Sequence, residues 1–230
     1  DWQKASNQKC DSINKLKSRS KIQKILELIE KVILSTMYVC QINGNDPIEI
    51  IKEKNILSKP QIDEKITQLI QKNLVNEDKK TLSDIGRGSL RIVLAGGVFD
   101  IIHPGHISTL NAAKALGDVL VVVVATDNTA VKMKRRTPIH SQEQRQELVN
   151  SLKMVDLCLI GQENDIFKTV NLVKPQIIAL GYDQIHQEQF ITEGCKKIKL
   201  DAKVARLQSP IPESSSSKIE KEYGESIHGI

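Results

Sequence analysis

Val119-Leu120-Val121-Val122-Val123-Val124 decides the fold. Six aliphatic residues in a row, five of them β-branched, leave no polar face to turn towards water. A strand buried on both faces reads this way, and such strands belong to parallel sheets covered by helices on each side. Four shorter runs share the character: Ile92 to Ala95, Val155 to Ile160, Ile177 to Leu180 and Lys203 to Leu207. Helical stretches separate them, at 105–116, 141–153, 163–173 and 187–197. Strands alternating with helices imply crossover units, and hence an α/β, doubly wound, five-stranded parallel sheet of Rossmann-like type. Ligands in such sheets bind beyond the carboxyl ends of the strands, where strand order reverses.

Upstream the pattern differs. Residues 1–20 are polar and lysine-rich, with Ile13 and Leu16 as spaced aliphatics, and read as a disordered arm. From Ile22 a helical period appears through Ile25, Leu28, Ile29, Val32, Ile33 and Tyr38. Asp46-Pro47 and Ser58-Lys59-Pro60 look like capped starts of two further helices. Leu74-Val75 and Thr81-Leu82 read as a small hairpin. Three helices and a hairpin resemble a winged helix-turn-helix over residues 21–88, ending at Arg87-Gly88-Ser89 and followed by the sheet domain over 89–230. The helix from about Gln61 to Lys72 would be the recognition helix. It carries Lys59, Lys65 and Lys72 but also Asp63 and Glu64, and no arginine. Nucleic-acid binding through 21–88 is therefore open but not favoured.

Composition agrees with a globular chain. Its 230 residues are 40% hydrophobic and 27% charged, with only 3% aromatic, so the core is aliphatic. The net charge of +5 sits mostly at the front: residues 1–90 hold 16 Lys/Arg against 12 Asp/Glu, and the remainder is nearly neutral. No apolar run reaches the roughly 18 residues of a membrane span, and no charged-then-apolar leader opens the sequence. The chain begins at Asp1 rather than Met, which leaves room for a missing N-terminus. Cys10, Cys40, Cys158 and Cys195 are far apart and form no CxxC pair, so free thiols in a reducing cytoplasm are expected.

The first strand of the sheet runs into Gly96-Gly97-Val98-Phe99-Asp100-Ile101-Ile102-His103-Pro104-Gly105-His106. Two glycines allow a ligand close to the backbone. Pro104 suits the first turn of the next helix, whose free N–H groups and dipole make an anion site. Two imidazoles three residues apart flank that helix start. They can donate hydrogen bonds to phosphate oxygens and neutralise charge on a leaving pyrophosphate. No Cys, His or carboxylate cluster completes a metal site around them.

This stretch resembles the signature of the nucleotidyltransferase superfamily that includes cytidylyltransferases, phosphopantetheine adenylyltransferase and FAD synthases. The resemblance covers residues 91 to about 222 and centres on the His-x-Gly-His of His103 to His106. It implies transfer of a nucleotidyl group from a nucleoside triphosphate to a phosphorylated small molecule, with release of pyrophosphate and usually with Mg²⁺ on the nucleotide. It implies nucleotide contacts at Gly96, Gly97, Val98, Phe99 and Gly105, and catalytic roles for His103 and His106. Lys132, Lys134, Arg135 and Arg136 form a basic cluster, where the family has a lysine that reaches the triphosphate; Lys134 is the catalytic candidate and Lys132 a nucleotide contact. Asp100, Thr126, Asp127 and Arg145 are expected near the acceptor. Arg145 follows a Ser141-x-x-Gln144 capping box, where a cation opposes the helix dipole and hints at an anionic partner.

Gly181 and Asp183, after the fourth strand, are expected near base or ribose. Ser214 to Ser217 read from composition as a linker, but the resemblance makes Ser215, Ser216 and Ser217 a phosphate cradle. Pro210-Ile211-Pro212-Glu213 stands where glycerol-phosphate cytidylyltransferases carry Arg-Thr-Glu-Gly, which argues against that subfamily. The stretch Gly117 to Val124, the Pro-Ile ahead of the Glu-Gln-Arg helix, and Lys174 to Gln184 look closest to archaeal-type FAD synthases, which adenylylate FMN with ATP. A cytidylyltransferase for glycerol 3-phosphate or another phospho-alcohol is the alternative. A DNA-binding regulator with a nucleotide-sensing domain is a third. The superfamily also suggests a homodimer.

Overall fold

The computed structural model describes residues 2–163, 165–181, 184–208, 219 and 222, with the backbone alone for 2–22 and 185. The chain divides into two compact units, Asp1–Ser89 and Leu90–Ile230.

In the first unit, helix α1 spans Trp2–Asn43. The stretch expected as an arm is thus helical in backbone. It contains no proline or glycine, and extending an existing helix costs little once its packed part is formed. That packed part buries Ile33, Leu34, Met37 and Tyr38. Helix α2, Pro47–Glu53, starts where the Asp46 carboxylate accepts the Ile48 amide at 2.9 Å. Helix α3, Lys59–Gln71, begins at Ser58, whose amide donates to the Gln61 side chain at 2.9 Å. It buries Ile62, Ile66 and Leu69 at helical spacing. An antiparallel bridge pairs Val75 with Leu82, and helix α4, Asp84–Gly88, follows with Ser83 as its cap. Among its contacts, the Arg87 guanidinium lies 4.7 Å over the Tyr38 ring.

The second unit is the doubly wound sheet. Strands β1 (Ile92–Gly97), β2 (Val119–Val124), β3 (Leu157–Ile160), β4 (Ile177–Leu180) and β5 (Lys203–Arg206) are all parallel, in the order β3-β2-β1-β4-β5. β2 is wholly inside apart from partial exposure at Val123, as its unbroken aliphatic run requires. Val93 sits opposite Leu120 on one side and Ile177 on the other. Helices α5 (Pro104–Lys114), α6 (Asp127–Lys134), α7 (Gln142–Asn150), α8 (Ile166–Val173) and α9 (Glu188–Lys197) connect and cover the strands. The core joins Val93, Leu110, Leu120, Val122, Val149 and Cys158.

Sequence order runs outward from β1 in both directions, so the switch point lies between β1 and β4, at the end of the glycine-rich strand. Helix α6 was not anticipated; Lys132 and Lys134 of the basic cluster stand on its last turn. Thr126 caps that helix by accepting the Thr129 amide, and Arg135 ends it in the left-handed region at φ 59°.

Candidate active site

The end of β1 is shaped by its glycines and by one strained residue. Phe99 holds φ 53°, a left-handed backbone that costs a bulky residue energy and persists only where packing enforces it. Its ring is buried, 5.1 Å from the His106 ring. A Cβ on Gly97 would stand 2.9 Å from that ring, so a side chain there would displace Phe99. The chain then reaches His103, the extended residue that precedes Pro104 and opens α5. Gly105 is buried in the first turn, and the His106 ring stacks on His103 with centroids 3.9 Å apart.

The imidazoles form an unusual pair. His103 is 8% exposed, and the Nδ1 atoms of both rings are buried without a hydrogen-bond partner among the described residues. Burial first, then the Lys134 ammonium, lowers the His103 pKa. Burial, the neighbouring His103 and Lys134 together push His106 down to about 4. Both rings are therefore neutral at neutral pH, with a lysine charge near enough to act on each. A negatively charged ligand would favour the protonated imidazoles and the ammonium together.

The residues expected at the acceptor behave differently. The Asp100 carboxylate is 3% exposed and fully engaged. It accepts from Arg136 Nη1 at 2.8 Å, from the Ile139 amide at 2.8 Å and from the His140 amide at 3.2 Å. It anchors the loop that follows Lys134. Arg145 is completely buried. Its guanidinium donates to the carbonyls of His140 (3.0 Å), Val98 (2.7 Å) and Ala125 (2.9 Å) and to Asp127 Oδ1 (2.6 Å). The anionic partner hinted at by its place in α7 is thus Asp127 of the same chain. The Thr126 hydroxyl is spent on capping α6. The Gly181 amide donates to the Gln184 side chain at 2.8 Å, and Gln184 reaches back to the Gly96 carbonyl at 3.5 Å. Asp183, Ser215, Ser216 and Ser217 lie outside the described residues.

The structure thus gathers Gly96, Gly97, Phe99, His103, Gly105, His106 and Lys134, and turns Val98, Asp100 and Arg145 to internal work. On the face of the sheet covered by α8 and α9 it also opens a cavity of about 460 Å³, with Gly96 and Gly97 in its wall. Thr126 both caps α6 and lines this cavity beside Gly96 and Gly97. Met133, Ile166 and Phe190 line it too. Sequence reading missed Ile166 and Phe190 because helical apolar residues look like core, and Met133 because its helix was not anticipated. Among the described residues no three His, Cys, Asp or Glu side chains stand together to hold a metal, and no helix is long and apolar enough to cross a membrane.

The cytidylyltransferase-like family model matches residues 94–222, which is most of the second unit. The chain belongs to the cytidylyltransferase-like family. Two relatives are identical to it at nearly half of the aligned positions. An FAD synthase of Picrophilus torridus is 46% identical over 125 residues, covering 54% of this chain and 89% of that one. An FAD synthase of Aciduliprofundum boonei is 49% identical over 116 residues, covering 50% and 77%. A solved lipopolysaccharide core biosynthesis protein from Thermoplasma volcanium superposes with a TM-score of 0.50 at 44% identity, covering 53% of this chain and 98% of that one. This cytidylyltransferase-like protein is accordingly a nucleotidyltransferase enzyme.

Proposed function

We propose that the protein is an FAD synthase, which transfers the adenylyl group of ATP to the phosphate of FMN. The observation that carries this reading is the stacked, buried pair of neutral imidazoles beside Lys134, in a chain whose relatives carry that name. In the reaction an FMN phosphate oxygen attacks the α-phosphorus of ATP in line. The new P–O bond forms as the bond to the bridging oxygen of the β-phosphate breaks, and pyrophosphate leaves with the electron pair. The acceptor phosphate is already an anion, so no general base is needed. The protein's tasks are alignment and charge stabilisation.

His103 and His106 are read as donors to the triphosphate, and Lys134 as the cation that neutralises the charge moving onto pyrophosphate. An anion bound there raises both imidazole pKa values, so the pair gains protons when the charge arrives. Gly96, Gly97 and Gly105 keep the wall narrow, and Lys132 is a further cation on the same helix. Ser215 to Ser217 are assigned to phosphate, and Gly181 and Asp183 to the nucleoside. Asp100, Asp127 and Arg145 are reassigned to holding the loops that carry these groups. Mg²⁺ would arrive coordinated by the triphosphate, since the described residues offer no cage and the Asp100 oxygens are occupied. With these substrates the enzyme belongs in the cytoplasm, where Cys40, Cys158 and Cys195, all buried, stay reduced.

The test offers purified protein ATP or CTP with Mg²⁺, against FMN, glycerol 3-phosphate and phosphocholine, with pyrophosphate release and product chromatography as readouts. FAD from ATP plus FMN is expected. Release with CTP alone would overturn the reading.

A further inference from the structure

The cavity between the sheet and the α8–α9 pair is built unlike a gap in the core. Its floor is apolar, with Leu94, Val170 and Ile178. Its rim is apolar as well: Met133 is 51% exposed, Ile166 42% and Phe190 57%. Three large hydrophobic side chains held in water around one opening lose free energy unless something covers them. Phe190 is also held in place. Its ring lies 5.5 Å from Phe167 at 57°, and Gly194 of α9 presses so close to Phe167 that no side chain fits between them. At about 460 Å³ the cavity is the size of a small-molecule site, roughly 300–1,000 Å³.

We infer that this cavity holds the isoalloxazine ring of the acceptor, with Phe190, Ile166 and Met133 as its specificity-determining rim. The inference rests on the FAD synthase reading. A flavin is a flat tricycle with one edge of bare methyl groups and one edge of carbonyls and ring nitrogens. The floor suits the first, and the Gln162 amide in the same wall suits the second. A purine carries ring nitrogens on every edge and would leave them against Leu94 and Val170, at the cost of unpaired polar groups. The position also fits the chemistry. Gly96 and Gly97 line the cavity, Gly97 abuts Phe99, and Phe99 touches His106. A ribityl phosphate leading out past the glycines therefore heads towards the imidazole pair. Met133 precedes Lys134 on α6, so one helix end serves both the ring and the phosphates.

The experiment measures FAD formation by the full chain as a function of FMN and ATP separately, with equilibrium dialysis of FMN alongside. Two variants at exposed positions leave the core intact: Phe190→Ala, which removes the stacking face, and Ile166→Trp, which narrows the mouth. Each is expected to raise the KM for FMN about tenfold, the scale of a lost aromatic stacking partner, with the KM for ATP within twofold of the parent. FMN affinity in dialysis should fall in parallel. If the parent makes FAD and neither variant changes the KM for FMN, the cavity assignment is wrong while the FAD synthase reading stands. A rise in the KM for ATP instead would make the cavity the adenine site. If the parent binds FMN, loses it in both variants, yet forms no FAD, the cavity assignment holds and the activity falls. A parent that neither binds nor converts FMN overturns both.

Discussion

His106 takes up a proton only near pH 4 in the folded protein, because it is buried against a second imidazole and a lysine. An unfolded imidazole does so near pH 6.5. Between those values the unfolded chain binds more protons, so folding stability falls as pH drops from about 6.5 towards 4 and is fully present above that window. His103, also lowered, acts in the same direction. His106→Gln removes this contribution. Urea unfolding at pH 5 and pH 7.5 should therefore show a smaller loss of stability in the variant than in the parent, and an equal loss would mean His106 is not held neutral. For catalysis, His103→Ala or His106→Ala is expected to lower turnover by at least about 100-fold, the scale of losing one charge-stabilising donor. Near-normal rates in either variant would remove that ring from the mechanism. The pair was legible in the sequence because its spacing places both rings at one helix start. That the rings would stack at 3.9 Å and be neutral was not, since burial depends on what packs over them.

The element that governs the site is the junction of β1, β2, α6 and α7, and Arg145 ties it together. Four acceptors from three loops converge on one guanidinium with no exposure. Arg145→Leu keeps the volume but strands those carbonyls and Asp127. It should cost about 2–4 kcal/mol in urea unfolding, because each buried carbonyl left without a donor costs about 1–3 kcal/mol, while the half-exposed Asp127 can turn to water. Arg145→Lys keeps the charge but lacks the planar fork, so it should recover less than half of that loss. A change below about 1 kcal/mol in Arg145→Leu would return the residue to the acceptor site. Arg145 and Asp100 were expected at the acceptor because charged residues near a signature motif read as ligand contacts. Apart from the His140 carbonyl, their internal partners come from residues 18 to 47 positions away, beyond the reach of local pattern. Helix α6 was missed for another reason. Its Thr126-Asp127 start is a fair cap signal, but its exposed lysines left no apolar stripe to mark a helix.

At the scale of the molecule the groups proposed for catalysis, the cavity and the loop anchors all fall within residues 90–230. That segment expressed alone is expected to unfold cooperatively and to keep kcat/KM for FAD formation within about threefold of the full chain. A loss of 100-fold or more would show that the first unit takes part in the reaction. The first unit gives little support to nucleic-acid recognition. Lys72, the C-cap of α3, pairs with Glu30 at 2.7 Å and Lys65 of α3 stands 3.7 Å from the same carboxylate, so both cations are matched within the unit. A gel shift with genomic DNA fragments should show no specific complex at physiological salt. A band that weakens steeply with added salt would revive DNA binding.

The sequence by itself determined the layered sheet, because unbroken aliphatic runs separated by amphipathic stretches have few other ways to bury their surface. It also determined the imidazole pair and the boundary near residue 89, both of which are local in the chain. Only the tertiary structure decided which charged residues face a ligand and which brace the loops. It alone brought Met133, Ile166 and Phe190 around one opening, from three helices spread over nearly 60 residues. Side chains at a given position look alike in sequence whether they fill a core or wait at a rim; the difference lies in which distant neighbours exclude water from them.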